Sequence, residues 1–276
     1  MILDCGGRLL DLNQPGVMGI LNITPDSFSD GGDFFCLDTA LAQARDMVAA
    51  GAAIIDIGGE STRPGAATVA ADEEIRRVVP VIEAIHAECK VPVSIDTSKA
   101  VVMRAAVKAG AGMINDVRAL QDQDALATAA ELGVPVCLMH MQGQPRTMQQ
   151  TPQYEDVVAE VKAFLLQRVA ACEQAGIDRQ RLLLDPGFGF GKGLNHNLRL
   201  LQGLGEIVAT ELPVVTGVSR KSMIGQVLGH EVDQRLYGSL ALAALAIWQG
   251  SLIIRAHDVA ATIDVVKMID AVRKVV

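Results

Sequence analysis

Aromatic residues and positive charge are both scarce in this chain. Trp, Tyr and Phe make up 3% of 276 residues while half are hydrophobic, so the core must be built from Ala, Val, Leu and Ile. That composition suits buried parallel strands covered by Ala-rich helices. Lys and Arg number 24 against 32 Asp and Glu, a formal charge of −8. This argues against a general nucleic-acid surface, and an anionic ligand would have to be drawn by a local basic cluster. The five cysteines (Cys5, Cys36, Cys89, Cys137, Cys172) never form a CxxC pair, which argues against a disulfide framework or structural zinc and for a reduced compartment. The longest apolar run, Leu240–Trp248, is too short for the roughly 20 residues that span a bilayer. The first residues, Met1-Ile2-Leu3-Asp4-Cys5, lack the basic-then-apolar layout of a signal peptide. A soluble cytoplasmic protein is expected. No HExxH and no GxSxG elbow occur, so neither a protein-built transition-metal site nor a covalent enzyme intermediate is expected.

What the chain does contain is eight short apolar runs, nearly all stopping at a polar residue. Val17–Leu21 meets Asn22, Ala53–Ile57 leads to Glu60, and Val93–Ile95 meets Asp96. Met113–Ile114 meets Asn115, Val134–Met139 meets His140, and Leu182–Leu184 meets Asp185. Val214–Val218 leads to Ser219-Arg220-Lys221, and Leu252–Ile254 to Arg255 and His257. Gly51, Gly110, Gly133, Gly176 and Gly250 stand between Ala-rich helical segments and the runs that follow. Glycine there accepts the positive φ that closes a last helical turn. Helix, glycine, strand, repeated, is the grammar of a parallel βα array. The expected fold is an α/β (β/α)8 TIM barrel, a size that typically needs about 250 residues. With no linker or low-complexity tract in view, one domain over residues 1–276 is expected. All the polar strand ends would then share the rim where barrel enzymes keep their chemistry.

Details of the elements are readable too. Ile2–Cys5 and Arg8–Leu12, joined at Gly6-Gly7, predict a β-hairpin able to cap the closed end of the barrel. Asp72 precedes a helical stripe of Ile75, Val78, Val79, Ile82 and Ile85, with Pro80 expected to kink it. Thr97 and Ser98 are expected to cap the next helix. Tyr154–Ala175 reads as a long amphipathic helix. Leu236–Trp248 is apolar almost all round, which fits either a homodimer interface or a tightly packed outer helix.

Asp96, Asn115 and Asp185 together offer two carboxylates and an amide. A flat heterocycle with several N–H donors suits them, since a carboxylate can accept two parallel hydrogen bonds. Taken singly, Asp96 could cap a helix and Asn115 could satisfy backbone. The Asp185-Pro186-Gly187-Phe188-Gly189-Phe190-Gly191-Lys192 segment fails the phosphate-loop pattern, because Pro186 and Gly193 occupy required positions. Basic groups follow the last two runs in Ser219-Arg220-Lys221-Ser222 and Arg255-Ala256-His257-Asp258, where this fold commonly binds phosphate.

Several longer motifs carry a resemblance. Asn22-Ile23-Thr24-Pro25-Asp26-Ser27-Phe28-Ser29-Asp30-Gly31-Gly32 and Gly58-Gly59-Glu60-Ser61-Thr62-Arg63-Pro64-Gly65 resemble the first two signatures of the dihydropteroate synthase family. Ser94–Thr97, Ile114–Asp116, Asp185–Lys192, Ser219–Ser222 and Arg255–Asp258 match the rest, in order along the chain. The resemblance implies condensation of 6-hydroxymethyl-7,8-dihydropterin diphosphate with 4-aminobenzoate, giving 7,8-dihydropteroate and pyrophosphate in folate biosynthesis. It implies a pterin site of Asp96, Asn115, Met139, Asp185, Phe190, Lys221 and Arg255. Phe28, Thr62, Arg63, Pro64 and Ser222 would serve aminobenzoate. Asn22, Thr62, Arg63, Arg255 and His257 would serve the diphosphate, with Asn22 meeting a Mg²⁺ cofactor carried on it. Asp26, Asp30, Lys221 and Arg255 would take part in the chemical step. The family is the target of sulfonamides. Two rivals share much of this pattern. A pterin-binding methyltransferase barrel would need a methyl folate, and a non-catalytic pterin-binding protein would release no pyrophosphate.

Overall fold

The computed structural model describes residues 1–23, 33–61, 67–143, 148 and 152–275. An antiparallel hairpin of β1 (Ile2–Cys5) and β2 (Arg8–Asp11) comes first. Strand and helix then alternate: β3 (Gly16–Asn22), α1 (Asp33–Ala49), β4 (Ile54–Gly58), α2 (Ala71–Glu88), β5 (Val93–Asp96), α3 (Ala100–Lys108), β6 (Met113–Asp116) and α4 (Ala125–Leu132). They continue as β7 (Val136–Met139), α5 (Val157–Gln174), β8 (Leu182–Asp185), α6 (Leu194–Gln202), α7 (Leu204–Val208), β9 (Val215–Thr216), α8 (Ser222–Leu228), α9 (Leu236–Trp248), β10 (Ile253–Ala256) and α10 (Val259–Arg273).

Eight parallel strands run in the order β8-β7-β6-β5-β4-β3-β10-β9. A parallel bridge between Leu184 and Val214, with the Leu184 N–H donating to the Pro213 carbonyl at 2.9 Å, joins β8 to the β9 side. The sheet is thereby brought round into the expected barrel. The five junction glycines all hold positive φ, at 103°, 114°, 70°, 88° and 106° in chain order.

Side chains along a strand alternate between faces, and this sorts the barrel into layers. Ile55, Ile57, Ile95, Ile114, Leu138 and Leu184 pack outward against the helices. Met18, Ile54, Met113, Cys137, Leu183, Val215 and Ile253 form a separate inner cluster with Leu3, Cys5, Leu10 and Leu12 of the hairpin. The hairpin therefore plugs the end at which the strands begin. Fully burying each large apolar side chain there stabilises the fold by roughly 1.5–3 kcal/mol. Contact between plug and barrel is close: a Cβ on Gly112, just before β6, would lie 2.0 Å from the Cys5 carbonyl oxygen.

Helix starts differ from expectation in three places. Helix α2 begins after Ala70 with no side-chain cap, and Asp72, Glu73 and Glu74 occupy its first turn, where the helix dipole favours acids. It runs on through Pro80, whose missing N–H withdraws the donor to the Arg76 carbonyl. Helix α3 follows Lys99, and neither Thr97 nor Ser98 caps it. The Ser98 hydroxyl is drawn instead to Asp116 Oδ1 at 2.5 Å. Helix α5 is capped by Asp156, whose carboxylate accepts from the N–H groups of Val158 and Ala159 at 3.0 and 3.1 Å. Tyr154 lies outside that helix, its hydroxyl donating to the Gly191 carbonyl at 2.9 Å. On α9, Ala243, Ala246 and Ile247 are buried, while Tyr237, Leu245 and Trp248 are 80%, 52% and 59% exposed. No helix among the described residues is long and apolar enough to cross a membrane.

Candidate active site

Strand register brings the polar strand ends to one level. Asn22 pairs with Gly58, Gly58 with Asp96, Asp96 with Asn115, and Met139 with Asp185. Inside the barrel this level lies beyond the apolar layer, so the interior changes from greasy to charged along the strand direction. Asp96, Asn115, Val117, Met139, Asp185, Gly187, Phe188, Phe190, Gly217, Lys221 and Arg255 line one cavity of about 310 Å³.

Arg255 organises the polar wall. Its Nε donates to Asp56 Oδ2 at 2.6 Å and its Nη2 to Asp96 Oδ2 at 2.8 Å. Burial opposes its charge, yet Asp56 and Asp96 hold the guanidinium above its ordinary pKa. Asn115 Nδ2 also donates to Asp56 Oδ2, at 3.2 Å. Among the described residues, Asp96 Oδ1 and Asn115 Oδ1 are left buried without a partner. Burial pushes the Asp96 carboxyl up to about 7, against the pull of Arg255. Asp96 and Asn115 both line the cavity, where N–H donors of a bound molecule could meet acceptors that cost about 1–3 kcal/mol each when buried and unmet.

The opposite wall depends on a left-handed loop. Asp185 Oδ1 accepts from the Gly187 N–H at 2.7 Å, and burial raises that carboxyl above its ordinary range. Gly187 has φ 69°, and a Cβ there would sit 1.8 Å from the His140 carbonyl oxygen. Lys192 is buried beneath the loop, its Nζ bonding the Gly187 and Phe190 carbonyls at 2.8 and 3.1 Å and lying 2.9 Å from His140 Nδ1. Burial lowers this ammonium to about 7. Lys192 thus holds the loop in shape. Phe190 packs with Val117, Met139 and Met148, and Lys221 Nζ stands 4.2 Å above its ring centroid. Burial, then Arg255, brings Lys221 down to about 8.

Residues 18–257 match the family described as Pterin binding enzyme. The chain is 55% identical to the dihydropteroate synthase of Escherichia coli K12 over 98% of its own length and 96% of the relative's. It superposes with TM-score 0.95 and 53% identity on the Yersinia pestis dihydropteroate synthase in complex with a sulfonamide drug, over 100% of both chains. The Xanthomonas albilineans dihydropteroate synthase in complex with 7,8-dihydropteroate gives TM-score 0.92 at 49% identity, also over 100% of both chains. The chain belongs to the dihydropteroate synthase family. The expected fold, a TIM barrel with an N-terminal hairpin, is the fold of this member of the family.

Of the site residues expected from the sequence, Asp96, Asn115, Met139, Asp185, Phe190, Lys221 and Arg255 meet around the one cavity. His257 lies just beyond β10, its Nδ1 3.0 Å from Ser219 Oγ, and burial lowers it to about 4. Asn22 ends β3, with its Oδ1 3.8 Å from where a Cβ on Gly58 would stand. Ser222 is exposed at the start of α8 and is not part of the cavity wall. Asp26, Phe28, Asp30, Thr62, Arg63 and Pro64 lie outside the described residues. At the root of the second loop, Lys99 Nζ ties Glu60 at 2.6 Å to the wholly buried Glu74 at 2.5 Å. The sequence reading passed over Asp56. Its signal was a lone carboxylate inside the apolar run Ile54-Ile55-Asp56-Ile57, a placement tolerated only if the charge is paired. Among the described residues no group of three His, Cys, Asp or Glu could hold a metal.

Proposed function

We propose that this barrel binds 6-hydroxymethyl-7,8-dihydropterin diphosphate and 4-aminobenzoate and joins them into 7,8-dihydropteroate, releasing pyrophosphate in folate biosynthesis. The observation that carries the reading is one cavity at which Asp96 and Asn115 present acceptors unpaired among the described residues, beside Asp185, Lys221 and Arg255. A pterin edge offers N–H groups to Asp96, Asn115 and Asp185. Met139 and Phe190 wall its ring, and Lys221 with Arg255 completes the site.

In the reaction the C–O bond between the pterin methylene and the diphosphate breaks, and the electron pair leaves with pyrophosphate. The arylamine nitrogen forms the new C–N bond and gives up a proton. An arylamine is already neutral at pH 7, so no strong base is required. Catalysis then comes from positioning and from charge complementarity to the leaving group. Lys221 and Arg255 supply positive charge. His257, neutral above about 4, supplies a hydrogen bond to the diphosphate. On the motif match, Arg63 and Thr62 join the diphosphate side, Phe28, Pro64 and Ser222 the aminobenzoate side, and Asp26 and Asp30 stabilise the cationic methylene. Replacing Asp30 by Ala should lower turnover more than pterin affinity.

Mg²⁺ fits this site as an ion carried by the substrate. Asn22 offers one amide oxygen at the rim, the kind of hard donor Mg²⁺ accepts alongside phosphate oxygens and water. When bound, the ion neutralises charge on the departing diphosphate. The exposed Tyr237, Leu245 and Trp248 of α9, with Met268 and Val272 exposed on α10, support a homodimer through this face. Sedimentation at micromolar concentration should give twice the chain mass. The unpaired buried thiols of Cys5, Cys89, Cys137 and Cys172 support a cytoplasmic setting. A coupled pyrophosphate assay tests the whole reading: release should require both substrates together, and release independent of 4-aminobenzoate would refute it.

A further inference from the structure

Asp56 is wholly buried in the middle of β4 and takes no part in the cavity wall. Its Oδ2 nevertheless receives two groups that do line the cavity, Arg255 Nε at 2.6 Å and Asn115 Nδ2 at 3.2 Å. Period-two alternation places it inside the barrel, between Ile54 of the apolar layer and Gly58 at the rim. A carboxylate only accepts hydrogen bonds, so the Asn115 amide must turn its NH2 toward Asp56. Its Oδ1 is then the end left without a partner among the described residues. Arg255, pinned by its Nε on Asp56, in turn engages Asp96 Oδ2 and leaves Asp96 Oδ1 unpaired among the described residues.

We infer that Asp56 is a specificity-determining positioning residue: it fixes the direction of the Asn115 amide so that the cavity offers an acceptor. The site thereby selects heterocycles whose edge carries N–H donors over those presenting a lone pair. This inference rests on the pterin reading and deepens it. A site built to pair an N–H rejects an analogue lacking it far more strongly than an apolar site rejects a change of shape, since its buried acceptors stay unmet.

The test compares equilibrium binding of 6-hydroxymethylpterin with that of the matching 2-methyl analogue, in which a methyl group replaces the 2-amino group and N1 keeps its lone pair. It uses the full-length protein and its Asp56→Asn and Asp56→Leu variants. The wild type should prefer the pterin. Asp56→Asn lets the Asn115 amide face either way, and the preference for the pterin over its 2-methyl analogue should fall about fivefold; Asp56→Leu should lower it about tenfold or more. A merely structural role for Asp56 would weaken both ligands equally, and that result overturns the inference. So does a preference that survives in whichever variant folds. A wild type that binds neither compound overturns the pterin reading itself, an outcome visible before any variant is measured.

Discussion

Arg255→Met removes the one guanidinium that both Asp56 and Asp96 share. Methionine fills much of the space, so packing loss is small and the electrostatic effect dominates. Breaking a buried ion pair by deleting one partner costs about 3–5 kcal/mol, because the remaining charge stays buried and unpaired. For a chain of this size 1 kcal/mol moves the unfolding midpoint by roughly 2 °C, so a drop of about 6–10 °C is expected. The loss should also depend on pH. Asp96 has its folded-state pKa raised from 3.8 to about 7. The folded state therefore holds the extra proton between those values, and this group's contribution is lost as pH rises through about 7. Arg255 opposes that rise, so without it Asp96 climbs further and the deficit of the variant widens with pH. Calorimetric unfolding at about pH 5.5 and about pH 8, on Arg255→Met, Asp96→Asn and the double variant, closes the cycle. Asp96→Asn should recover part of the loss at the higher pH and little at the lower. A deficit under about 1 kcal/mol, or one equal at both pH values, would refute the reasoning.

Asp185→Ala should abolish measurable pterin binding in calorimetric titration, and unchanged affinity would remove Asp185 from the site. The His257 imidazole should titrate near 4 by NMR; a midpoint at the ordinary 6.5 would mean that burial beside Arg255 and Arg220 does not govern it. Gly112→Ala drives a Cβ to 2.0 Å from the Cys5 carbonyl, so the hairpin plug must shift. Denaturant unfolding should show a loss of about 1–3 kcal/mol or more with pterin affinity nearly kept, because the plug lies at the far end of the barrel from the cavity.

The barrel was legible because its rules are periodic. Glycine at five helix-to-strand junctions and an apolar run ending at a polar residue on nearly every strand recur along the chain, and each recurrence constrains the same architecture. The rim was legible for the same reason: strand ends are marked by a change of residue type, so Asp96, Asn115 and Asp185 announced themselves. Helix starts were less so, because capping depends on competition. Ser98 has the chemistry of a cap but meets the buried Asp116 across the strand ends, a partner the local sequence does not reveal. Burial raises Asp116 to about 6 while its bonds to Ser98 and to the Arg118 and Leu120 N–H groups pull the other way.

Asp56 shows where periodic reading stops. One charge in a run of isoleucines is invisible to a search for strand termini, yet it decides how two visible residues are aimed. Arg255 and Asn115 reach it from strands β10 and β6, so its pairing depends on barrel closure rather than on local spacing. A carboxylate this deep is costly unless both its partners arrive. The orientation of the site and the closure of the barrel are therefore coupled. Any substitution that loosens the β3–β10 or β4–β5 pairing should degrade ligand discrimination before it unfolds the chain.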